Sequence, residues 1–331
     1  MEVVNAEFAR NSGSPAVFRV TRSFDHTVNL SLDRAYFFGN NGTYGVFQVY
    51  GGNLKISNSV AFGNVIRNQS GFLKVGTHSP NLITNTEIVN STIVSNFNMS
   101  DFHTGSGAIS GVGGNSHFKI RNSILWGNKR DDQIIHINGV GGLENSSIAN
   151  SIIQDAYDEE GNWDVKITNA GGNSAETPLF TEYIEALGES FSNGDFSLQA
   201  GSYGIDAGDT NAYSEIMGDV DEALDIRGNS RVMGNGIDIG AYEYTENLST
   251  ENHVIHQKYV LYPNPSFDYV NIVGIDALTF YQIYNVAGQM LQKGNLNVDD
   301  SKIAVSQLPK GQYFIRLLAK DGATALKFIK K

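Results

Sequence analysis

The first half of the chain carries scattered side chains that could transfer a proton or neutralise an acidic group. A general acid or base must lie within hydrogen-bonding reach of the proton it moves, so spacing decides whether such residues act together. Lys119 and Arg121 fall in one alternating stretch, where an outward basic row is common, and Asp131 and Asp132 follow two basic residues in a turn. The spacing is not typical of a catalytic constellation, and no catalytic residue is predicted among His78, Asp101, His103, His117, Lys119, Arg121, Asp131, Asp132 and His136.

The densest group of carboxylates contains Asp219, Asp221 and Asp225. Carboxylates at alternate positions of a loop can converge on Ca²⁺, which takes roughly six to eight oxygen ligands. No Gly follows Asp221 to sharpen the turn, and the spacing matches no complete calcium loop. Two interpretations stay open: a Ca²⁺ site at these three residues, or solvated and cap-forming carboxylates, including an Asp206–Arg227 ion pair. No other cofactor is expected.

A repeated stretch must position these side chains. Its clearest copy is residues 56–64, Ile-Ser-Asn-Ser-Val-Ala-Phe-Gly-Asn. Alternate residues of the copies are mostly apolar or Asn, with Glu7 and Arg34 as exceptions, and this period of two predicts one extended strand with the set on one face. Such rows bury their apolar side chains only when they stack, about 4.8 Å apart. The repeat therefore predicts a parallel β-solenoid, with a β-sandwich as the alternative. The copies begin at Val3, Leu32, Ile56, Ile88, Ile120 and Ile148. Successive copies are therefore 29, 24, 32, 32 and 28 residues apart.

Asn recurs at two positions of the repeat. Stacked rungs would place equivalent Asn side chains one above another, where their amides can form a hydrogen-bonded ladder. Asn also tolerates the left-handed backbone of a sharp corner. The first three members are expected to point into the coil. The predicted ladder comprises Asn58, Asn90, Asn122 and Asn150 and, six residues further on in the copies, Asn64, Asn96 and Asn128.

Insertions between the copies predict the binding face. Each 32-residue step carries about eight residues more than the 24-residue step, and stacking places the insertions side by side. They contain residues 76–80 and 98–105. We therefore predict ligand contacts from His78, Asp101, Phe102 and His103, with Tyr44 as a further aromatic that could stack on a ligand.

Composition restricts the partners. Residues 1–250 hold 14 Lys and Arg against 29 Asp and Glu, a net charge near −15, whereas residues 251–331 hold 9 against 6. An acidic body argues against nucleic acid and anionic membranes as partners. The absence of Cys excludes disulfides and zinc-thiolate sites. No apolar window of some 18 residues exists, so no transmembrane segment is predicted.

The beginning of the sequence already continues the repeat. Residues 1–11 contain Val3 and Asn5 in register, and no charged-then-apolar leader precedes them. A solenoid that starts there has an open sheet edge, which proteins normally cover. The sequence is therefore interpreted as N-terminally truncated.

Two segments of the body resemble known families. Residues 122–128, Asn-Ser-Ile-Leu-Trp-Gly-Asn, resemble the coils of right-handed parallel β-helix proteins of the pectin-lyase-like superfamily. Residues 195–244, which include Gly-Ile-Asp-Ala-Gly-Asp at 204–209, resemble the choice-of-anchor Q module that ends many bacterial surface β-helices. The first resemblance implies a lyase, with a base and a cation, or a hydrolase, with two carboxyls, as possible chemistry. The second implies no single activity.

The last part of the chain no longer carries the repeat. Short strands separated by turn residues predict a small Ig-like sandwich of about seven strands. Residues 259–331 resemble the type A C-terminal sorting domain of the type IX secretion system of Bacteroidota. This resemblance implies export by that machinery, processing by its sortase, and release or attachment at the outer-membrane surface of a Gram-negative cell. It is carried by Pro263, Asn264, Pro265, Gly288, Gly311, Tyr313 and Lys330.

The predicted fold class is therefore all-β, a right-handed parallel β-helix followed by a small Ig-like sandwich. The predicted domains are the β-helix at 1–170, a capping module at 171–245, a linker at 246–258 and the sorting domain at 259–331. One or two helical turns are predicted within the capping module, at 181–187. The expected function is a secreted or surface-attached protein that binds polysaccharide without turnover. A polysaccharide lyase or glycosidase and a passive stalk are the alternatives.

Overall fold

The computed structural model describes the whole chain except residues 22–26, 69, 77–81, 101–104, 113–115, 141–142, 144, 246–258, 276–278, 287–288, 298–300 and 320–321. The described residues form two compact units, Met1–Glu251 and Asn252–Lys331. The predicted linker lies outside the described residues.

The first unit is built on a parallel β-solenoid, as the repeat predicts. Each coil passes through four sheets in turn, and we number the sheets in that order. Sheet 1 contains Glu2–Val4, Asn29–Asp33, Gly52–Ser57, Thr84–Val89, Ser116–Arg121, Ser147–Ala149 and Thr168–Asn169. Sheet 2 contains Glu7–Ala9, Tyr36–Phe38, Val60–Phe62, Thr92–Val94, Ile124–Trp126 and Ile152–Ile153. Sheet 3 contains Ser12–Gly13, Asn41–Gly42, Val65–Ile66, Phe97–Asn98, Lys129–Arg130 and the antiparallel Gln133–Ile134. Sheet 4 contains Phe18–Thr21, Phe47–Tyr50, Leu73–Gly76, Ile109–Val112 and Ile137–Val140.

The register of sheet 1 confirms the alignment of the six copies. Each starting residue of a copy pairs with the starting residue of the next, in parallel strands. Ile88, for example, pairs with Ile56 on one side and with Ile120 on the other. The sandwich alternative is therefore wrong for this part of the chain.

The repeated stretch is not the single strand that its alternation predicts. Asn58 has φ 48° and Gly63 has φ 59°, and the chain turns a corner at each. The first corner reverses the orientation of the side chains. Ile56 lies in the solenoid interior, whereas Val60 and Phe62 face outward into a second core. A left-handed residue bends the chain without altering the sequence period, so the period alone does not reveal the corner.

The solenoid interior contains stacked aromatic and aliphatic side chains. The ring of Phe37 stacks on Phe8 at 4.9 Å and meets the edge of Phe72 at 5.4 Å. Ile56, Ile88 and Ile120 form the neighbouring aliphatic column. Each coil buries its apolar row only against the coils above and below it, which is why the repeat must be stacked.

A buried amide ladder follows the corner between sheets 2 and 3. The Nδ2 of Asn64 donates to the Oδ1 of Asn96 at 2.7 Å, and the Nδ2 of Asn96 donates to the Oδ1 of Asn128 at 2.9 Å. Asn40 and Asn11 extend the ladder towards the first coil. Each of Asn40, Asn64, Asn96 and Asn128 has no exposed surface.

The segment after the last coil returns along the side of the solenoid. We call residues 175–245 the side module. Its Phe180, Phe196 and Leu198 pack with Val60 and Phe62 against the outer face of sheet 2. At the N-terminal end of the solenoid, Arg10 of the first coil donates to the Oγ of Ser192 in the side module at 2.9 Å. The module thus covers sheet 2 lengthwise.

The side module contains an antiparallel pair, Phe180–Glu182 with Asp195–Leu198, and one helix, Thr210–Met217, which we call α1. The predicted helical turns at 181–187 are wrong, because this stretch begins as a strand. Asp209 starts the helix instead, since its carboxylate accepts hydrogen bonds from the amides of Asn211 and Ala212.

The second unit has two antiparallel sheets around its own core. One sheet contains Val260–Tyr262, Tyr269–Val273 and Lys302–Ala304, and the other contains Thr279–Asn285, Met290–Leu296, Gly311–Ala319 and Gly322–Lys330. Val270, Ile283 and Ile315 are fully buried between them. These strands confirm the predicted small β-sandwich. Among the described residues, the search for an apolar helix of membrane-spanning length finds none.

Candidate binding groove

An open groove runs over the outer face of sheet 1, across its strands. It encloses about 900 Å³. Side-chain alternation along the strands places Leu54 and Phe118 inside the solenoid and turns Asn53, Asn85 and His117 outward to the groove floor. The groove therefore presents one polar position from each successive coil.

The first row of the floor is an amide row, which consists of Asn29, Asn53, Asn85, His117 and Asn145. The Nδ2 of Asn53 donates to the Oδ1 of Asn29 at 2.7 Å, and the Nδ2 of Asn85 donates to the Oδ1 of Asn53 at 2.9 Å. The Nδ2 of Asn145 lies 3.2 Å from the Nε2 of His117. Each amide has two N–H groups and two lone pairs, so members of the row keep hydrogen-bonding capacity towards solvent.

A second row, two residues further along each strand, carries charge of both signs. Glu87 pairs in register with Lys55 on one side and Lys119 on the other. Ser31 and Ser147 flank these three residues, and Glu2 lies next to Ser31 in register. Because cationic and anionic residues alternate here, the floor is polar without a strong net charge.

Helix α1 lies beside this second row. The Nζ of Lys55 donates to the carbonyl of Ile216, in the last turn of the helix, at 2.6 Å. The Nζ of Lys119 pairs with the Oε1 of Glu215, also at 2.6 Å, and this pair lowers the pKa of Glu215. Cations are favoured at a helix C-terminus, so both lysines hold α1 as one border of the groove.

Arg121 occupies the floor one strand position beyond Ile120. Its Nη1 donates to the carbonyl of Ile120 at 2.7 Å, and its Nη2 donates to the Oγ of Ser147 at 3.0 Å. Burial lowers the pKa of Arg121, and the charge of Glu215 partly opposes this effect. These hydrogen bonds therefore fix the orientation of the Arg121 guanidinium in the groove floor.

The Asn residues at the corner between sheets 1 and 2 fasten the helix. Asn58, Asn90, Asn122 and Asn150 all have φ between 43° and 49°. The Oδ1 of Asn122 accepts from the amide of Asp209, and its Nδ2 donates to the carbonyl of Asp209, both at 2.9 Å. Asn150 donates to the Asp209 carboxylate at 3.2 Å.

These corner residues differ from their predicted placement. Asn90 donates to the carbonyl of Asp238, and Asn58 donates to the hydroxyl of Tyr213. Only Asn122 and Asn90 share a direct amide bond, at 3.1 Å. The corner amides thus line up but point towards the side module instead of into the coil, because that module supplies the backbone groups they bind.

The predicted calcium ligands do not converge. Both oxygens of the buried Asp225 accept hydrogen bonds, from the amides of Arg227, Asn229 and Glu243 and from the Asn229 side chain. Asp219 accepts from the amide of Asp221. Across the described part of the chain, no group of three or more His, Cys, Asp or Glu residues could hold a metal ion. The alternative Asp206–Arg227 pair is wrong, because Arg227 pairs with Asp195 at 2.8 Å.

A buried ion pair in the side module was missed by the sequence reasoning. The Nη2 of Arg231 lies 3.1 Å from the Oε1 of Glu243, and both side chains are fully buried. Burial raises the pKa of Glu243 against the opposing charge of Arg231. The two residues are 12 positions apart in an irregular segment, so no periodic pattern connects them.

Several predicted contacts cannot be placed. His78, Asp101, Phe102, His103 and Gly288 lie outside the described residues. Tyr44 is 43% exposed on a different part of the solenoid, near sheet 4.

Among the candidate proton donors and acceptors, His117, Lys119 and Arg121 meet in the groove. Asp131 and Asp132 are exposed in a turn between two strands of sheet 3. His136 is buried, and this burial lowers its pKa to about 4. The sequence does contain a signal for the amide row, because its five members each precede a copy of the repeat by three residues.

The second unit clamps its first strand region onto its last strand. Asn264 donates to the carbonyl of Lys327 at 3.2 Å and accepts from the amide of Ile329 at 3.0 Å. The hydroxyl of Tyr313 donates to the carbonyl of Pro309 at 2.7 Å, and Gly311 pairs with Lys330. The predicted motif residues thus fix the ends of this small sandwich.

Residues 260–331 match the secretion system C-terminal sorting domain. The sorting domain implies that the chain is exported, to be secreted or held at the cell surface, and that it interacts with the secretion machinery. No curated protein matches the chain.

Proposed function

We propose that the chain is a type IX secretion cargo that binds a linear polysaccharide along the groove on sheet 1, without turning it over. The observation that carries this proposal is the amide row, which offers one hydrogen-bonding side chain per coil along an open groove of about 900 Å³. Polysaccharide hydroxyls both donate and accept hydrogen bonds, as amide side chains do.

The geometry of the row supports a polymer over a compact ligand. Neighbouring strands of a sheet lie about 4.8 Å apart, so the row repeats its chemistry at that interval. A linear polymer with a regular repeat can meet several members of the row at once, and each weak contact then adds to the others. The mixed charges of Lys55, Glu87 and Lys119 favour a hydroxyl-rich ligand over a strongly charged one.

The sorting domain supports a location for this activity. We propose that the cargo reaches the outer-membrane surface of a Bacteroidota-type Gram-negative cell, where the sortase of the type IX system processes it. The resemblances of residues 122–128 to pectin-lyase-like coils and of 195–244 to the choice-of-anchor Q module support the same setting. At the cell surface, we expect a polysaccharide as the partner and do not expect a nucleic acid.

Affinity gel electrophoresis tests the proposal. The native chain would be run through gels containing glucomannan, arabinoxylan or laminarin, and at least one of these is expected to retard it. Replacing Asn53, Asn85 and His117 together by Ala should abolish the retardation. The matched control is Asn41→Ala, which removes an Asn from the outer side of sheet 3. Equal retardation of the triple variant would contradict the proposal, and no retardation in any gel would favour the passive stalk.

One observation favours an enzyme as the second candidate. His117 and Lys119 lie on the same face of one strand, and Glu87 lies opposite Lys119 in the register of the neighbouring strand. A base and a cation on one face are what a lyase requires, whereas a hydrolase requires two carboxyls. Release of new reducing ends from a retained polysaccharide, lost in His117→Ala, would establish this alternative and contradict binding without turnover.

A further inference from the structure

The charge of the first unit is divided sharply along the chain. Residues 1–130 contain 11 Lys and Arg against 6 Asp and Glu, whereas residues 131–250 contain 3 against 23. The early coils of the solenoid are therefore basic, and the segment that includes the side module is strongly acidic. Such a division favours the docking of the module onto the coils.

The side module neutralises cations on the faces that it reaches. Glu215 pairs with Lys119 of sheet 1, and Glu185 pairs with Lys129 of sheet 3. Sheet 2 lies directly beneath the module. The ion pairs between the described residues of the two segments thus involve sheets 1 and 3, and sheet 2 is covered by apolar contacts.

Sheet 4 retains two cations on its outer face. Arg19 and Lys74 occupy outward positions on the first and third strands of this sheet, with Gln48 between them in register. Among the described residues, neither cation has a carboxylate within 4.0 Å. The two like charges therefore face the same stretch of surface.

The residues around this pair hold it in place. The Nε of Arg19 donates to the Oε1 of Gln48 at 2.9 Å, and the Nε2 of Gln48 donates to the carbonyl of Tyr44. Gln48 is only 1% exposed, so its side chain is fixed beneath its neighbours. The Nζ of Lys74 lies 5.5 Å from the centre of the Tyr44 ring, which is 43% exposed.

Arg19 and Lys74 lie close enough for one charge to influence the other. Burial lowers the pKa of Lys74, and the charge of Arg19 lowers it further. Two neighbouring cations disfavour each other, and an anion placed between them relieves the repulsion. The planar guanidinium also binds a carboxylate or sulfate through two N–H groups at once.

We propose that Arg19, Lys74 and Tyr44 form a second ligand site on the outer face of sheet 4, which accepts a carboxylate or sulfate group of an acidic polysaccharide. The two cations hold the anionic group. The exposed ring of Tyr44 packs against the sugar that bears it. The site lies on a different sheet from the groove and does not depend on the function proposed for the groove.

Three polymers with one backbone test this site: dextran, carboxymethyl-dextran and dextran sulfate. Biolayer interferometry of the full chain at low and at physiological salt is expected to show binding to one or both anionic polymers and none to dextran. A response to carboxymethyl-dextran alone would identify the group as a carboxylate, and a response to dextran sulfate alone would identify a sulfate. Arg19→Gln and Lys74→Gln should each weaken the binding by about tenfold or more, since each removes a charge-assisted contact. Tyr44→Ala should weaken it less.

Two controls separate the site from general attraction between charges. Arg67→Gln removes an exposed cation from the region of sheet 3 and should leave the affinity unchanged. The triple variant of the groove should also bind the anionic polymers normally. Thermal unfolding of Lys74→Gln should show no loss of stability, because a repulsion is removed. The site is refuted by equal binding to dextran, by equal weakening in Arg67→Gln, or by unchanged binding in Arg19→Gln and Lys74→Gln.

Discussion

Replacing Asn96 by Ala tests how much the buried amide ladder stabilises the solenoid. The Oδ1 of Asn96 accepts from the Nδ2 of Asn64 at 2.7 Å. Its Nδ2 donates to the carbonyl of Ala61 at 3.0 Å and to the Oδ1 of Asn128 at 2.9 Å. All of these groups lie where the Asn side chains are fully buried. The substitution therefore removes several partners at once from a site without access to water.

The magnitude follows from the groups left without partners. The side-chain N–H and the backbone N–H of Asn64 both lose the Oδ1 of Asn96 as acceptor, and the carbonyl of Ala61 loses its side-chain donor. The Oδ1 of Asn128 keeps a second donor, the amide of Asn96, at 3.2 Å. A buried polar group left unpaired costs about 1–3 kcal/mol. The two N–H groups of Asn64 therefore predict a loss of about 2–6 kcal/mol in the free energy of unfolding of the first unit.

A matched control is available in the same solenoid. Asn53 also donates its amide to the Asn of the neighbouring coil, at 2.7 Å, but this bond is exposed. Asn53→Ala should change the free energy of unfolding by no more than about 0.5 kcal/mol. Urea unfolding of both variants, followed by circular dichroism, gives the two values, and an unchanged slope would indicate that the denatured state is unaffected.

One result of this comparison would refute the role of the buried ladder. If Asn96→Ala unfolds at the same urea concentration as Asn53→Ala, the buried ladder contributes nothing beyond its exposed counterpart, and burial of the amides is refuted as a source of stability. If Asn96→Ala does not fold, Asn96→Ser provides a smaller change that keeps one polar atom. Its loss of stability should lie between the two Ala variants.

Two further predictions concern buried ionisable groups. His136 has its pKa lowered to about 4, so the unfolded chain binds its proton first as the pH falls; the contribution of His136 to stability should be constant above about pH 6.5 and decline towards pH 4, by up to about 3 kcal/mol. His136→Gln should remove this part of the pH dependence in urea titrations, and an unchanged profile would contradict the assignment. Burial raises the pKa of Glu243 to about 9, so Arg231→Met leaves a neutral buried carboxyl without its partner and should cost about 1–3 kcal/mol, whereas Arg231→Met with Glu243→Leu should recover much of that loss in thermal unfolding. A double variant as unstable as the single one would show that the cost comes from packing.

The repeat determines the alignment of the coils but not the direction of the chain within each copy. Ile56, Ile88 and Ile120 can be matched from the sequence because every coil needs an apolar side chain at the same interior position. The corner at Asn58 could not be read from the period, since its φ of 48° bends the strand while apolar residues continue at alternate positions. Val60 and Phe62 consequently fill a second core, which exists only because the side module returns over sheet 2.

The sequence predicts only some of the residues that form the groove. The sequence marks His117 and Lys119 as candidates, but the lengths of the insertions predict a binding face on the loops and not on the strands that carry these two residues. The amide row does have a sequence signal, three residues ahead of each copy. The helix that borders the groove depends on Asp209 meeting Asn122 across 87 positions, and no local pattern encodes that contact.

Net charge proved to be a poor guide to individual surfaces. The value near −15 for residues 1–250 conceals basic coils and an acidic segment that dock on one another. The positive charge on sheet 4 is local: Arg19 and Lys74 stand two strands apart, about 9.6 Å along the solenoid. Duplex DNA presents one charge about every 1.7 Å, so a pair at this separation would meet only a small fraction of its phosphates. A polymer with isolated acidic groups matches such a pair better, since its few charges are the ones that the two cations can reach.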